Sequence, residues 1–434
     1  MIDQSLFRAR KVYYHTLGCK LNFAETSAIG KQLSDAGYVK IRTGEQADVC
    51  IVNTCSVTDI ADHKCRQAIK RLIRTHPDAI MIVTGCYAQL KPEEISQIEG
   101  VDLVLGSNEK FDILSYLEKQ SGEEIHHSDI LKAKEFKPAC SRDGRTRFFL
   151  KVQDGCDYYC TYCTIPYARG HSRNASIKDT VAEAKRAIAE GAKEIVLSGV
   201  NTGDFGKSTS EKFIDLVKAL DSIPEEVRFR ISSIEPNLLT DELIAFIAQS
   251  NHFMPHFHIP LQSGSDDVLK LMKRRYDTTF FAEKINTIHQ HIPNAFIGVD
   301  VIVGVRGETE QFFENSVKFI NSLNISQLHV FTYSERTGTK MLDIDNVVPV
   351  PERRKRSEIL RKISDKKTTE FYEKQIGKTM HVLWESRKMG ESMSGFTQNY
   401  IRVEQPFCKT DINTIKTVKL SGWNTEKSAL TVID

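Results

Sequence analysis

Short β-rich runs alternate with helical stretches through most of this 434-residue chain, and that alternation is what most restricts its fold. Within residues 1–128, runs at 12–15, 49–52 and 80–83 are followed by helical stretches at 25–36, 63–74 and 92–98. A strand that resumes in the same direction after a helix joins a parallel sheet, so an N-terminal α/β domain with a helix-covered parallel sheet is expected. A polar segment, about 121–147, reads as a linker. Six longer-spaced strand candidates follow, at 148–152, 194–197, 228–232, 256–260, 296–303 and 327–333. Six βα units suit a (β/α) barrel that stays partial. Pro351 opens a helix over 352–375 that Gly377 ends, and runs at 381–384, 400–403, 414–420 and 429–433 predict a small all-β module. The expected domains are 1–128, 140–368 and 369–434.

The cysteines fall at particular places in this pattern. Cys156, Cys160 and Cys163 stand within eight residues, after the first central strand and the turn Asp154-Gly155. Three thiolates so close can grip three irons of one cubane cluster and leave the fourth open, with Tyr162 shielding it. The competing reading is a structural zinc site with His171 as fourth ligand, although such sites usually show paired knuckles. Cys19, Cys55 and Cys86 are far apart, yet each ends a strand: in Leu17-Gly18-Cys19, Asn53-Thr54-Cys55 and Thr84-Gly85-Cys86. The carboxyl ends of neighbouring parallel strands converge on one crevice, which suits a second cluster. On spacing alone a structural role is the alternative. Cys50 lies inside an apolar strand, and Cys65, Cys140 and Cys408 have no strand-end setting.

Other candidates stand at the ends of the central strands, the face where barrel enzymes place their active sites. They are Gly199 and Asn201, Ser232 and Glu235, His258 and Gln262, and Ile302.

Cys156-x3-Cys160-x-Tyr162-Cys163 resembles the signature of radical S-adenosylmethionine (SAM) enzymes. The resemblance implies a [4Fe-4S] cluster whose open iron binds the amino and carboxylate groups of SAM, and a one-electron cleavage of SAM to methionine and a 5′-deoxyadenosyl radical. SAM contacts at Tyr162, Gly199, Asn201, Ser232, Glu235, His258, Gln262 and Ile302 are expected with it. Two departures stand out: Ser198-Gly199-Val200-Asn201 lacks the usual glutamate, and Asp300 replaces a glycine before Ile302-x-Gly304, with Glu308 one position late.

Nearly the whole chain resembles the radical SAM methylthiotransferase family, through Leu17-Gly18-Cys19-Lys20-Leu21-Asn22, Asn53-Thr54-Cys55-Ser56-Val57-Thr58, Thr84-Gly85-Cys86-Tyr87, His258-Ile259-Pro260-Leu261-Gln262-Ser263-Gly264 and Tyr333-Ser334-x-Arg336-x-Gly338-Thr339. Val305-Arg306 stands where relatives usually have Phe-Pro. The family inserts sulfur and a methyl group at an unactivated C–H bond, a hydrogen no ordinary acid or base can remove. The resemblance implies two [4Fe-4S] clusters, with all six strand-end and loop cysteines catalytic. One SAM would methylate the sulfur and a second would supply the radical, so both cysteine sets should face one cavity. The tail resembles the RNA-binding TRAM domain.

The implied substrate is tRNA, at carbon 2 of the adenosine beside the anticodon. Lys20-Leu21-Asn22 and Ala168-Arg169-Gly170 resemble the branch acting on N6-threonylcarbamoyladenosine. Its threonyl group is anionic, which makes Lys20 a candidate partner for that carboxylate. Isopentenyl-adenosine and a ribosomal-protein aspartate are the alternative substrates. A different class is also open, an RNA-binding protein whose cluster senses iron or oxygen.

A net charge of only +2 gives no bulk argument for nucleic-acid binding, so any basic footprint is local. Candidates are Arg353, Arg354, Lys355, Arg356, Arg361 and Lys362; Lys273, Arg274 and Arg275; and Lys64, Arg66, Lys70, Arg71 and Arg74. No apolar run approaches the roughly 18 residues of a membrane span, and residues 1–10 lack the apolar region of a signal peptide. A cytoplasmic monomer, reduced by a flavodoxin- or ferredoxin-type protein, is expected. Ten cysteines there suit metal ligation rather than disulfides.

Overall fold

In the computed structural model, which describes residues 10–119, 124–141 and 146–433, the first part of the chain forms six parallel strands. They are β1 (Lys11–Thr16), β2 (Val39–Lys40), β3 (Val49–Thr54), β4 (Ile80–Gly85), β5 (Leu103–Leu105) and β6 (Glu124–His126), in the order β2-β1-β3-β4-β5-β6. Helices α1 (Lys20–Asp35), α2 (Asp59–Thr75) and α3 (Cys86–Leu90) follow β1, β3 and β4. Strand β3 is buried throughout because both faces are covered. Cys50 and Val52 pack with Ile69 and Leu72 of α2, and Val49 and Ile51 with Ile29 and Leu33 of α1. A doubly covered strand reads as a continuous apolar run, which is how it stands out in the sequence.

The strand order turns back between β1 and β3, the switch point where open sheets bind ligands. Register sets Thr16 against Asn53 and Thr54 against Gly85, so residues just past these ends lie side by side. Strand β6 falls inside the segment expected as a linker, of which 121–123 and 142–145 lie outside the described residues.

The central strands are β7 (Arg147–Lys151), β8 (Glu194–Ser198), β9 (Arg228–Ile231), β10 (His256–Gln262), β11 (Phe296–Val303) and β12 (Gln327–Thr332). They form two parallel triplets, β7-β8-β9 and β10-β11-β12, joined by bridges Phe229↔Phe253 and Ser233↔His258. One apolar core runs through both triplets. Among the described residues β7 and β12 do not pair, so the barrel is partial, as six βα units predict.

A 24-residue helix, Val350–Glu373, then links two cores: Leu360 belongs to the partial barrel and Tyr372 to the tail. Strands β13 (Thr379–Met389), β14 (Ser392–Thr397), β15 (Arg402–Pro406), β16 (Ile415–Trp423) and β17 (Leu430–Ile433) close a small barrel around Trp384, in the order β13-β14-β15-β17-β16. It docks on the amino ends of the central strands. There Arg147 meets Glu385 at 2.9 Å, and Arg230 donates to the carbonyls of Thr397 and Gln398.

Candidate active site

Cys55 and Cys86 are the first residues past β3 and β4, and the Thr54–Gly85 register sets them next to each other. Cys19 closes the loop after β1 and caps α1. Gly18 lets that loop lie against Cys55. Its φ is +100°, and a Cβ there would stand 2.6 Å from Cys55 Cβ. Burial pushes the Cys55 thiol up to about 12, and Cys86 and Cys19 push it further the same way. Cys86 is raised by burial and by Cys19, against Arg169.

The second triad sits in the loop after β7. Gly155 (φ +71°) admits no side chain there, since a Cβ would fall 2.0 Å from the His171 carbonyl oxygen. Burial pushes Cys156 up to about 12, with Cys160 adding to it. Cys163 is raised by burial, then by Cys160 and Cys156. All six thiols are free, and within each triad they lie near enough to raise one another's pKa. Thiols that raise each other's pKa form a donor set suited to a bound cation, which deprotonates them outright. Both triads thus fit an iron–sulfur cluster held by three thiolates. His171, the alternative zinc ligand, is exposed and holds Asp157 at 2.7 Å.

Two buried arginines attend these thiols, and their roles are not visible in the sequence. Arg274 places Nη1 3.0 Å from Cys160 Sγ, while Nη2 donates to Glu235 and Nε to the Tyr276 hydroxyl at 3.0 Å. Arg169 joins the two cysteine loops. It donates to Asn22 Oδ1 at 2.6 Å, to Asp154 Oδ1 at 3.0 Å and to both oxygens of Glu25 at 3.0 and 3.2 Å. Asn22 in turn donates to the carbonyls of Leu17 and Thr54, which flank Cys19 and Cys55. Burial opposes the Arg169 charge, but Cys86, Glu25, Asp154 and Cys19 hold it firmly protonated.

The strand-end candidates gather at the barrel mouth. Asn201 Nδ2, Ser232 Oγ and Gln262 Oε1 are buried with no hydrogen-bond partner among the described residues. Buried polar atoms are normally satisfied, so three orphans at one mouth suit a polar ligand such as SAM. Asn201 Oδ1 accepts from the Glu235 backbone at 3.3 Å, and a Cβ on Gly199 would press on Gln153. His258 Nε2 pairs with Asp300 at 2.7 Å, and its ring lies 5.1 Å from that of His329. Asp300 and His329 were not singled out by sequence, although Asp300 replaces the glycine expected at its position.

Two cavities lie between the mouth and the N-terminal sheet. The first, of about 280 Å³, has Val57 and Thr58 on the sheet side and Tyr162, Cys163, Ile302 and Tyr333 on the barrel side. The second, of about 360 Å³, has Cys19, Lys20, Leu21 and Phe23 on one side and Phe149, Gly199, Ser232 and His258 on the other. Each triad contributes one cysteine to a wall.

Several expected surface cations prove to be buried. Arg353 donates to the Val348 and Tyr333 carbonyls, and Arg356 to Glu308 at 2.8 Å. Glu308 also accepts from the Gly304 amide at 2.6 Å, so its carboxylate is already engaged. Arg66 is half-buried and tied to Tyr87 and Glu94, whereas Arg275 stays exposed with its guanidinium 3.9 Å over the Tyr158 ring. Lys64, Lys70, Arg71 and Arg74 remain exposed and line a groove with His15 and Leu17.

Residues 11–106 match the family described as Uncharacterized protein family UPF0004, and residues 150–320 match the Radical SAM superfamily. The threonylcarbamoyladenosine tRNA methylthiotransferase MtaB of Bacillus subtilis is 39% identical over 405 residues, covering 90% of this chain and 89% of its own. The MtaB of Aquifex aeolicus is 36% identical, over 91% and 96%. A tRNA-2-methylthio-N(6)-dimethylallyladenosine synthase from Desulfitobacterium hafniense is 30% identical over 92% of both. In fold, the radical SAM methyltransferase TsrM of Kitasatospora setae, solved with cobalamin and a [4Fe-4S] cluster, superposes with a TM-score of 0.59 at 12% identity, over 89% of this chain and 81% of that one. Cysteine loop, partial barrel and matches define a radical SAM enzyme, a transferase that uses a [4Fe-4S] cluster and SAM. Within that class the chain belongs to the MtaB-like methylthiotransferase family.

Proposed function

We propose that this chain transfers a methylthio group to carbon 2 of N6-threonylcarbamoyladenosine next to the anticodon of tRNA, with SAM as both methyl donor and radical source. The observation that carries the reading is the pair of cysteine triads, each lending a wall to a cavity between the N-terminal sheet and the barrel mouth. Cys156, Cys160 and Cys163 hold one [4Fe-4S] cluster in this reading, and Cys19, Cys55 and Cys86 a second. When bound, the central cluster supplies the electron that opens SAM, and the N-terminal one carries the sulfur to be delivered.

The chain's own residues bind and orient. Asn201, Ser232 and Gln262 offer their unpaired polar atoms to SAM, and Gly199 and Glu235 stand beside them. Tyr162 and Ile302 wall the cavity of Cys163, and His258 that of Cys19. Leu21, Phe23 and Phe149 give the second cavity a largely apolar lining. The choice of nucleoside is supported by the names of the relatives at 39% and 36% identity, against 30% for the dimethylallyladenosine enzyme. The domains are taken as 1–128, 140–368 and 369–434, in a cytoplasmic monomer that receives electrons from a flavodoxin- or ferredoxin-type protein. No described helix is long and apolar enough to cross a membrane.

Mass spectrometry of tRNA nucleosides from cells with and without the gene tests the reading. The expected result is loss of the methylthio group with N6-threonylcarbamoyladenosine accumulating. Loss on isopentenyl-adenosine instead would transfer the protein to that substrate.

A further inference from the structure

The second cavity has one cation in its wall and no carboxylate. Lys20 opens α1 directly after Cys19 and lines the cavity with Gly199, Ser232 and His258. The residue is half-buried, and among the described residues its ammonium has no hydrogen bond or ion pair. Its charge also reaches the barrel interior: burial lowers both His256 and His329, then Arg230 and His258 lower the first and His258 the second, and Lys20 adds a smaller push to each. An unpaired ammonium in the wall of a largely apolar cavity suits a neutral body bearing an anionic group.

The neighbouring His258, Asp300 and His329 place one ligand atom each within 4.8 Å of the others, the outline of a metal site. One feature opposes a metal there: Asp300 is already bonded to His258 Nε2 at 2.7 Å. Asp300 is better described as the residue that orients His258 at the cavity wall, as carboxylates orient imidazoles elsewhere.

We propose that Lys20 reads the carboxylate of the N6 substituent and thereby selects threonylcarbamoyladenosine over adenosines with uncharged N6 groups; this rests on the function proposed above. The reconstituted holoenzyme is tested with three anticodon stem-loops, carrying N6-threonylcarbamoyladenosine, its threoninamide analogue and dimethylallyladenosine. Binding anisotropy and methylthiolation are measured for the wild type, Lys20→Met and Lys20→Arg, with iron content as the check on folding and cluster assembly.

The wild type is expected to bind the carboxylate form about tenfold or more tighter than the amide, the loss of one charge-assisted hydrogen bond. Lys20→Met should erase that difference by weakening the carboxylate form alone, and Lys20→Arg should restore most of it. A Lys20→Met protein that still prefers the carboxylate overturns the assignment of Lys20 and leaves the substrate intact. A wild type that leaves the threonylcarbamoyl stem-loop unmodified overturns the substrate reading and Lys20 with it. A Lys20→Met protein that weakens all three RNAs equally also overturns the proposal, since the lysine would then be a general contact.

Discussion

At the scale of single residues, the thiols and the arginines beside them differ in how far the sequence reveals them. Cysteines are rare and reactive, so six of them at strand ends or in one loop stand out from Cys50, which lies within β3. Arg274 does not stand out, because it sits between Lys273 and Arg275 and resembles part of a surface cluster. Its side chain is 2% exposed and points at Cys160 Sγ. Hydrogen bonds to cluster sulfurs, together with positive charge nearby, favour the reduced, more negative state. Arg274→Gln is therefore expected to make the midpoint potential of the central cluster more negative, with Arg274→Lys falling between. An EPR-monitored redox titration checks this, and an unchanged potential would leave Arg274 the holding of Glu235 and Tyr276. Cys86→Ala is a companion test: iron should fall from about eight to about four atoms per chain while the central cluster keeps its EPR signal. Loss of all iron would show that the triads do not load independently.

At the scale of elements, long strands are legible and short ones are not. β3 and β11 show as apolar runs, whereas β2, β5 and β6 are two or three residues long and carry no period. Helix Val350–Glu373 is legible in extent and misleading in charge. Its buried positions Arg353, Arg356, Ser357, Leu360 and Ser364 recur at helical spacing, so two of its arginines lie on the inward stripe. That spacing separates them from the exposed Arg354, Arg361 and Lys362. α2 is the opposite case. Its outward cations Lys64, Lys70, Arg71 and Arg74 edge a groove of about 550 Å³ that reaches Leu17, two residues from Cys19. No carboxylate lines that groove, as suits a phosphate backbone. Replacing Lys70 and Arg74 by glutamate should weaken tRNA binding across all N6 substituents and flatten its salt dependence by about two units of slope. Filter binding at several salt concentrations measures both. An unaltered slope would place the RNA backbone elsewhere.

At the scale of the whole molecule, the sheet and the barrel are held together by charges inside the protein. Glu25 of α1 is fully buried and accepts from Lys110 at 2.6 Å on its own side, and from Lys151 at 2.9 Å and Arg169 at 3.0 Å on the barrel side. Asp154 shares Lys151 and Arg169 and adds Arg173. Arg336 makes a second clasp, reaching Asp59, Asp62 and Ser56. The pairings that cross between the units are not legible in the sequence, since partners up to 280 residues apart meet only once both units are folded. Burial alone would raise the Glu25 carboxyl, but Arg169, Lys110 and Lys151 overcome it and hold the group far below the usual carboxylate range. Asp154 is depressed against burial in the same way by Lys151, Arg169 and Arg173. A carboxylate with a depressed folded pKa contributes stability that is complete above its unfolded pKa and is lost as pH falls toward the folded one. The molecule should therefore lose thermal stability progressively below about pH 4, the range of unfolded carboxylates. Glu25→Gln keeps the shape but removes the one ion-pair partner Lys110 has among the described residues and leaves Lys151 and Arg169 with Asp154 alone, a break that typically costs about 3–5 kcal/mol. The variant should unfold at lower temperature and show a weaker acid dependence, because the titrating group is gone. Calorimetry across pH would reveal both, and a Glu25→Gln protein as stable as the wild type would mean that packing, not charge, joins sheet to barrel.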